Sequence, residues 1–418
     1  MKIGFLNYIL LYGLTAVCIS VFTPREALSY AVLSHEAIID AAWDNSILPL
    51  LKDKFPGATT DQLNDAHAYS YGGAIMPDMG YFPFGNLFFT DLVHYVRTGD
   101  FVINLLSEAQ DLNELAFALG ALAHYNADKN GHPGAVNVSV GKVYPKVGKE
   151  FGDTIYYEED RIAHTRMEFG FDVAQVARGK YAPKSFHDFI GFEVSQPLLE
   201  RAFVLTYGME LKDVYKDLPV AINSFRWSVK TFLPYLTNAA WASKKIQIQK
   251  LQPGITRKQF TAKMSRAEYQ KEWGKNYKRP GIGAYGIALM IKVFPKVGLA
   301  RILKFKLPTP EAEALFIKSF DHTVSDYSGM LKKYKTGSLH LVNIDYDTGR
   351  NTEACEYKLA DDTYKKLLLQ LYSSHSVHIS RQLRKNLLDF YHDIPPTVKN
   401  EKQEKEYLDA ITWLKSDE

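Results

Sequence analysis

The chain has 418 residues, 46% hydrophobic and 23% charged, a length that predicts more than one folded unit, since single cores stop growing near about 250–300 residues, and a composition too apolar for a disordered or fibrous protein. It holds only two cysteines, Cys18 and Cys355, so a cysteine metal cluster is excluded and any metal must be held by His, Asp and Glu. The net charge of +3 conceals a split, with 19 Lys and Arg against 27 Asp and Glu in residues 1–240 and 31 against 20 in residues 241–418.

In chain order, Lys2, an apolar run over residues 3–22 and the small residues Ala27 and Ser29 predict an export signal over residues 1–29. A secreted or periplasmic protein is the expectation. The same run is long enough to stay as an uncleaved membrane anchor, which is the alternative. With Cys18 inside the signal, no intramolecular disulfide can form in the mature chain.

Helical periodicity then dominates. Ser34 is placed as the cap of a helix through Ile38, Ile39 and Trp43, and Thr90 or Asp91 as the start of another through Leu92, Val93 and Val96. Between them, residues 71–80 are rich in Gly and Pro and predict a loop. Asp111 opens a helix through Leu115, Leu119, Leu122 and Tyr125, and a further helix is expected over residues 156–176. Later helices are expected over residues 198–215, 221–241, 282–304, 309–318 and 363–391, with a short hairpin in residues 337–359 around Asp347-Thr348-Gly349. The fold class is therefore all-α. A catalytic domain over residues 30–240 is expected, followed by a basic, mostly helical region over residues 241–418. The basic stretch 244–279 marks the boundary. That region suits either peripheral contact with an anionic membrane surface or plain solvation.

Six of the twelve histidines fall within the first 164 residues, most with carboxylates nearby. His124 and Asp128 are four residues apart on a predicted helix, as are His164 and Glu168. That spacing puts both side chains of each pair on one face, about 6 Å apart, which suits one metal ion or two adjacent ones. Alone, such a pair also serves as ordinary surface stabilisation. Here the flanks are apolar (Leu119, Leu122, Ala123; Ile162, Ala163), so both pairs are expected to point inward, where buried charge needs a partner. His132 follows between Gly131 and Pro133. His67 is read as a structural histidine, His187-Asp188 as a surface pair or a ligand-orienting one, and His322, His340, His375, His378 and His392 receive no role. Tyr81, Phe82, Phe84, Phe88 and Phe89 crowd the segment after Asp78, as core or as a lipid-accepting mouth.

In order, Ser34-His35, Pro77-Asp78, His94, His124 with Asp128, His132, and His164 with Glu168 resemble the ligand series of the zinc-dependent bacterial phospholipase C family, which is related in architecture to the P1/S1 single-strand nucleases. The resemblance covers roughly residues 30–190. It implies two to three zinc ions: one on Asp78, His94, His124 and Asp128, a second sharing Asp128 with His35, and a third on His132, His164 and Glu168. It further implies a phosphoric diester hydrolase acting on phospholipid through metal-activated water, with Asp78 as general base. No stable nucleic-acid partner is expected. The alternatives are an exported nuclease of the P1/S1 type and a zinc-binding protein without activity. Departures from the family are the absence of a tryptophan in residues 22–42, a short Asp128 to His132 spacing, and Met79 where a headgroup-contacting tyrosine often stands.

Overall fold

The computed structural model describes residues 32–179, 191–260, 304–392 and 401–416. The expected export signal, His187-Asp188, nearly all of the helix expected at 282–304 and much of the basic stretch lie outside them. Among the described residues no strand forms, and the expected hairpin is a turn with one isolated bridge, Ile344 to Asn351. The all-helical class is as expected.

The helices are α1 (Val32–Ala42), α2 (Leu48–Lys54), α3 (Thr60–Ile75), α4 (Leu87–Tyr95), α5 (Thr98–Glu108), α6 (Leu112–Gly131), α7 (Asn137–Val143), α8 (Pro145–Phe151) and α9 (Arg161–Ala177). They continue as α10 (Gln196–Tyr207), α11 (Leu211–Val214), α12 (Leu218–Leu251), α13 (Arg257–Phe260), α14 (Pro310–Lys335), α15 (Lys358–Ser374), α16 (Arg381–Phe390) and α17 (Glu401–Ser416). Several starts are set by caps. Thr59 and Gln62 form a reciprocal capping box on α3, and the Asp111 carboxylate accepts from Glu114 N on α6, as expected of Asp111. Asn86, not Thr90 or Asp91, opens α4. Ser34 lies inside α1 rather than at its cap, and its hydroxyl donates to Asp172 Oδ1 at 2.7 Å.

α6 is the central element. Its residues are apolar or small nearly all round, and those from Glu114 to Asp128 are buried without interruption, as a helix without a polar face must be. α3, α5 and α14 pack around it, α1 lies across α3 and α14, and α15 packs on α4. The core is continuous from Val32 to Leu414, so α14, α15, α16 and α17 share it with the N-terminal helices.

The glycines of residues 71–80 mark contact rather than a break. α3 runs through Gly72 and Gly73 to Ile75, then tightens into a 3-10 turn over Met76–Tyr81. A Cβ on Gly73 would stand 1.9 Å from Phe117 O, and one on Gly120 would stand 2.1 Å from Ser70 O, so α3 and α6 approach backbone to backbone. We expect Gly73→Ala to force the two helices apart and cost about 1–3 kcal/mol or more, as overpacking does. Gly57→Ala, where nothing lies within 4 Å, should change stability by less than about 0.5 kcal/mol. Urea denaturation of the two variants checks the contrast, and equal midpoints would contradict it.

Candidate metal centre

The α3–α6 contact and the 3-10 turn bring three segments to one point. The turn carries Asp78 and is pinned to α4 by Thr90, whose hydroxyl accepts from Gly80 N at 2.9 Å and donates to Pro77 O at 2.7 Å. α4 carries His94. Its Nδ1 pairs with Thr90 O at 2.8 Å, and His124 Nδ1 on α6 pairs with Ala74 O at 2.8 Å. A ring nitrogen that donates to a carbonyl fixes the tautomer, leaving the Nε2 lone pair of each ring facing inward, as metal-binding histidines are commonly held.

The inward atoms converge on Asp128. His124 Nε2 lies 3.0 Å from its Oδ2, His94 Nε2 3.6 Å and His132 Nε2 3.7 Å, while His35 Nε2 is 3.4 Å from Oδ1. His94 Nε2 is also 3.4 Å from Asp78 Oδ1. All six side chains are buried, and His35 stacks on His124 with ring centroids 4.4 Å apart. No loop separates Asp128 from His132: α6 continues to Gly131, and a wider π-helical turn over His132–Val136 takes Pro133 at its start, where a missing N–H costs little. His124, Asp128 and His132 are thus three successive positions four residues apart on one helical face.

A second cluster lies beside the first. On α9, His164 Nδ1 is 2.8 Å from Glu168 Oε1, and its Nε2 is 2.8 Å from Asn137 Oδ1. The His132 and His164 rings stack with centroids 5.1 Å apart. Asp347, from the turn between α14 and α15, joins them: its Oδ1 is 3.6 Å from both His132 Nδ1 and His164 Nε2. The structure therefore brings together every residue of the expected ligand series, in three groups whose donor atoms lie within 4.8 Å of one another (His35, His124, Asp128; Asp78, His94, His124; His132, His164, Asp347), with Glu168 against the third.

The donor set fits zinc. Two N or O donors held about 2.0–2.2 Å from one tetrahedral ion stand about 3.3–3.6 Å apart, the separation seen for His35–Asp128, His94–Asp78 and His94–Asp128. Among the described residues, both oxygens of Asp78 and of Asp128, and Nε2 of His94 and His124, are buried without a hydrogen bond. So many orphaned lone pairs in one place are costly unless a cation takes them. Burial pushes the His35 and His164 imidazoles well down, helped by neighbouring histidines, so both rings are neutral in the metal-free protein. Burial opposes a proton on His124 too, but the Asp128 carboxylate wins and raises it to about 9. A metal ion takes the place of that proton.

Sequence reasoning missed Asp347, Asn137 and Asp172. Asp172 follows Glu168 by four residues on α9, so helical spacing alone would have placed it on the same face. Its carboxylate holds Ser34 Oγ and, at 3.3 Å, Leu33 N, seating the turn before His35. His67 is structural, its Nε2 3.2 Å from Asp40 Oδ1 and its ring stacked on Trp43 at 3.8 Å. Of the aromatic segment, Tyr81, Phe82, Phe88 and Phe89 are core and Phe84 is 51% exposed. Tyr81 packs 6.3 Å from His94, and Tyr157 5.7 Å from His164.

A helical scaffold that buries five histidines and four carboxylates in adjoining clusters is compatible with metal binding. Residues 34–217 match the model of the family described as zinc dependent phospholipase C, a span that holds every expected ligand. Over these residues the chain is similar to the zinc-dependent phospholipase C family, a likeness that supports a phosphoric diester hydrolase in class. No curated protein and no solved structure is a significant match.

Proposed function

We propose that the chain is an exported phosphodiesterase that uses two to three zinc ions to hydrolyse phospholipid into diacylglycerol and a phosphorylated headgroup. The observation that carries this is the convergence of His35, His94, His124 and His132 on the single buried carboxylate of Asp128, with Asp78 on the adjoining turn. Asp78, His94, His124 and Asp128 would hold one ion, Asp128 and His35 a second, and His132, His164 and Glu168 a third. Bound zinc supplies Lewis-acid activation of water and of the phosphoryl oxygens. The chain's own part is to fix the donors rigidly and to provide Asp78 as proton acceptor. Export is supported by Lys2 and the apolar run that follows it, and the basic composition after residue 240 supports contact with anionic lipid.

The test offers zinc-loaded mature protein vesicles of phosphatidylcholine or phosphatidylethanolamine and, separately, single-stranded DNA. Release of diacylglycerol with DNA left intact is expected. Cleavage of DNA without cleavage of lipid would replace the lipase reading with the nuclease one, and no cleavage of any substrate would favour the inactive zinc-binding reading.

A further inference from the structure

We propose that Asp347 is a direct ligand of the ion held by His132 and His164, so that the zinc centre is completed by a loop lying outside the segment the family model matches. This rests on the zinc reading above.

The loop around Asp347 is built into the protein from several sides. Asp345 Oδ1 accepts from Asp347 N at 2.9 Å and Thr348 N at 3.2 Å, which folds the turn on itself. Thr98 Oγ1 at the start of α5 accepts from Ile344 N and donates to Ile344 O, at 2.9 and 2.8 Å. Tyr346 N donates to His94 O at 3.1 Å, and the Tyr346 ring packs edge-on against His94 with centroids 5.4 Å apart. Asn137, whose Oδ1 holds His164, also donates through Nδ2 to Asp347 O at 2.7 Å. One side chain therefore positions both the histidine and the loop.

The two oxygens of Asp347 do different things. Oδ2 accepts from Tyr157 N at 2.9 Å and from the Tyr357 hydroxyl. Oδ1 is buried and, among the described residues, accepts no hydrogen bond. It lies 3.6 Å from His132 Nδ1, a separation too long for a hydrogen bond and right for two donors sharing one zinc ion, and 3.6 Å from His164 Nε2, which donates to Asn137 Oδ1 and so leaves Nδ1 as the metal-binding nitrogen of that ring. Glu168 is spaced otherwise, at 2.8 Å from His164 Nδ1 and 4.0 Å from His132 Nδ1. Asp347 forms with His132 and His164 one buried group whose donor atoms all lie within 4.8 Å of one another. A carboxylate with one oxygen tied by two donors and the other bare is oriented before any ion arrives, which is how rigid metal sites are prepared.

The test uses the full mature chain and zinc alone as probe. Asp347→Asn can keep the Tyr157 and Tyr357 bonds through its amide oxygen while turning a non-ligating NH2 toward the histidines. Zinc content after dialysis and affinity by competition with a chromophoric chelator should show one ion lost or weakened beyond the roughly 10- to 100-fold typical of residues that merely orient ligands, the remaining ions being held as in the wild type. Asp347→Cys, loaded with cobalt, should gain a sulfur-to-cobalt charge-transfer absorption that the wild type lacks; this signature needs a donor at position 347 and not a structural role. Unchanged zinc number and affinity in Asp347→Asn, or no such band in Asp347→Cys, would overturn the assignment and leave the zinc reading intact. A wild-type chain holding less than one zinc would remove that reading, and this inference with it.

Discussion

Asp128→Ala is expected to strip the protein of two zinc ions rather than one. Its Oδ1 faces His35 and its Oδ2 faces His94, His124 and His132, so the two oxygens serve different groups of donors and no neighbouring carboxylate occupies the same place. The metal-free protein should suffer as well. There the buried Asp128 carboxylate, held well below the usual range against the cost of burial by His124 and His132, is the partner of the His124 imidazolium. Removing one member of a buried ion pair costs about 3–5 kcal/mol, because the other charge is left without compensation. His164→Ala is the contrast: it touches only the His132 and Asp347 cluster, and its ring is neutral when metal-free. Elemental analysis and thermal denaturation, with and without a chelator, should rank Asp128→Ala well below His164→Ala in both metal content and stability. Equal losses in the two variants would show that Asp128 does not bridge.

The parts of this centre that were legible in sequence are those that helical period writes into spacing. His124 with Asp128 and His164 with Glu168 need only the rule that residues four apart share a face, and the apolar residues around them say which way that face points. The parts that were not legible depend on how backbones meet. Gly72 and Gly73 look like helix breakers, yet they sit inside α3 because other backbone comes too close for a side chain, that of Glu193 at Gly72 and that of Phe117 on α6 at Gly73, the latter a reason that lies 44 residues away. Gly131 and Pro133 are residue types that often end a helix, but a π-helical turn carries the chain through with His132 still on the face of Asp128. Asp347 had no periodic partner at all. Its turn was visible in Asp347-Thr348-Gly349, whereas its place beside His132 follows from long-range contacts: Thr98 with Ile344, and the close approach of Gly349 to Lys129 O and Pro133.

Asp78→Asn should lower kcat/KM for phospholipid hydrolysis by at least about 100-fold, within the roughly 100- to 10,000-fold range that a positioned proton acceptor contributes, while leaving the fold in place. The fold should hold because the turn over Met76–Tyr81 is fixed by the Thr90 hydroxyl and not by the Asp78 side chain. Among the described residues neither Asp78 oxygen accepts a hydrogen bond, and Oδ1 lies 3.4 Å from His94 Nε2. One oxygen can therefore serve a cation together with His94 while the other remains able to accept the proton that water gives up as its oxygen bonds to phosphorus and the bond to the diacylglycerol oxygen breaks. An amide of the same shape is a poorer donor to zinc and cannot take that proton. Asp78→Glu keeps the charge but lengthens the reach in a site where Met79 and Tyr81 are buried on the same turn, so it should recover only part of the rate. The measurement is steady-state hydrolysis with zinc content determined on the same preparations. Full activity in Asp78→Asn would remove Asp78 from the chemistry. A loss of rate that vanishes when zinc is restored to saturation would make it a ligand without a role in proton transfer.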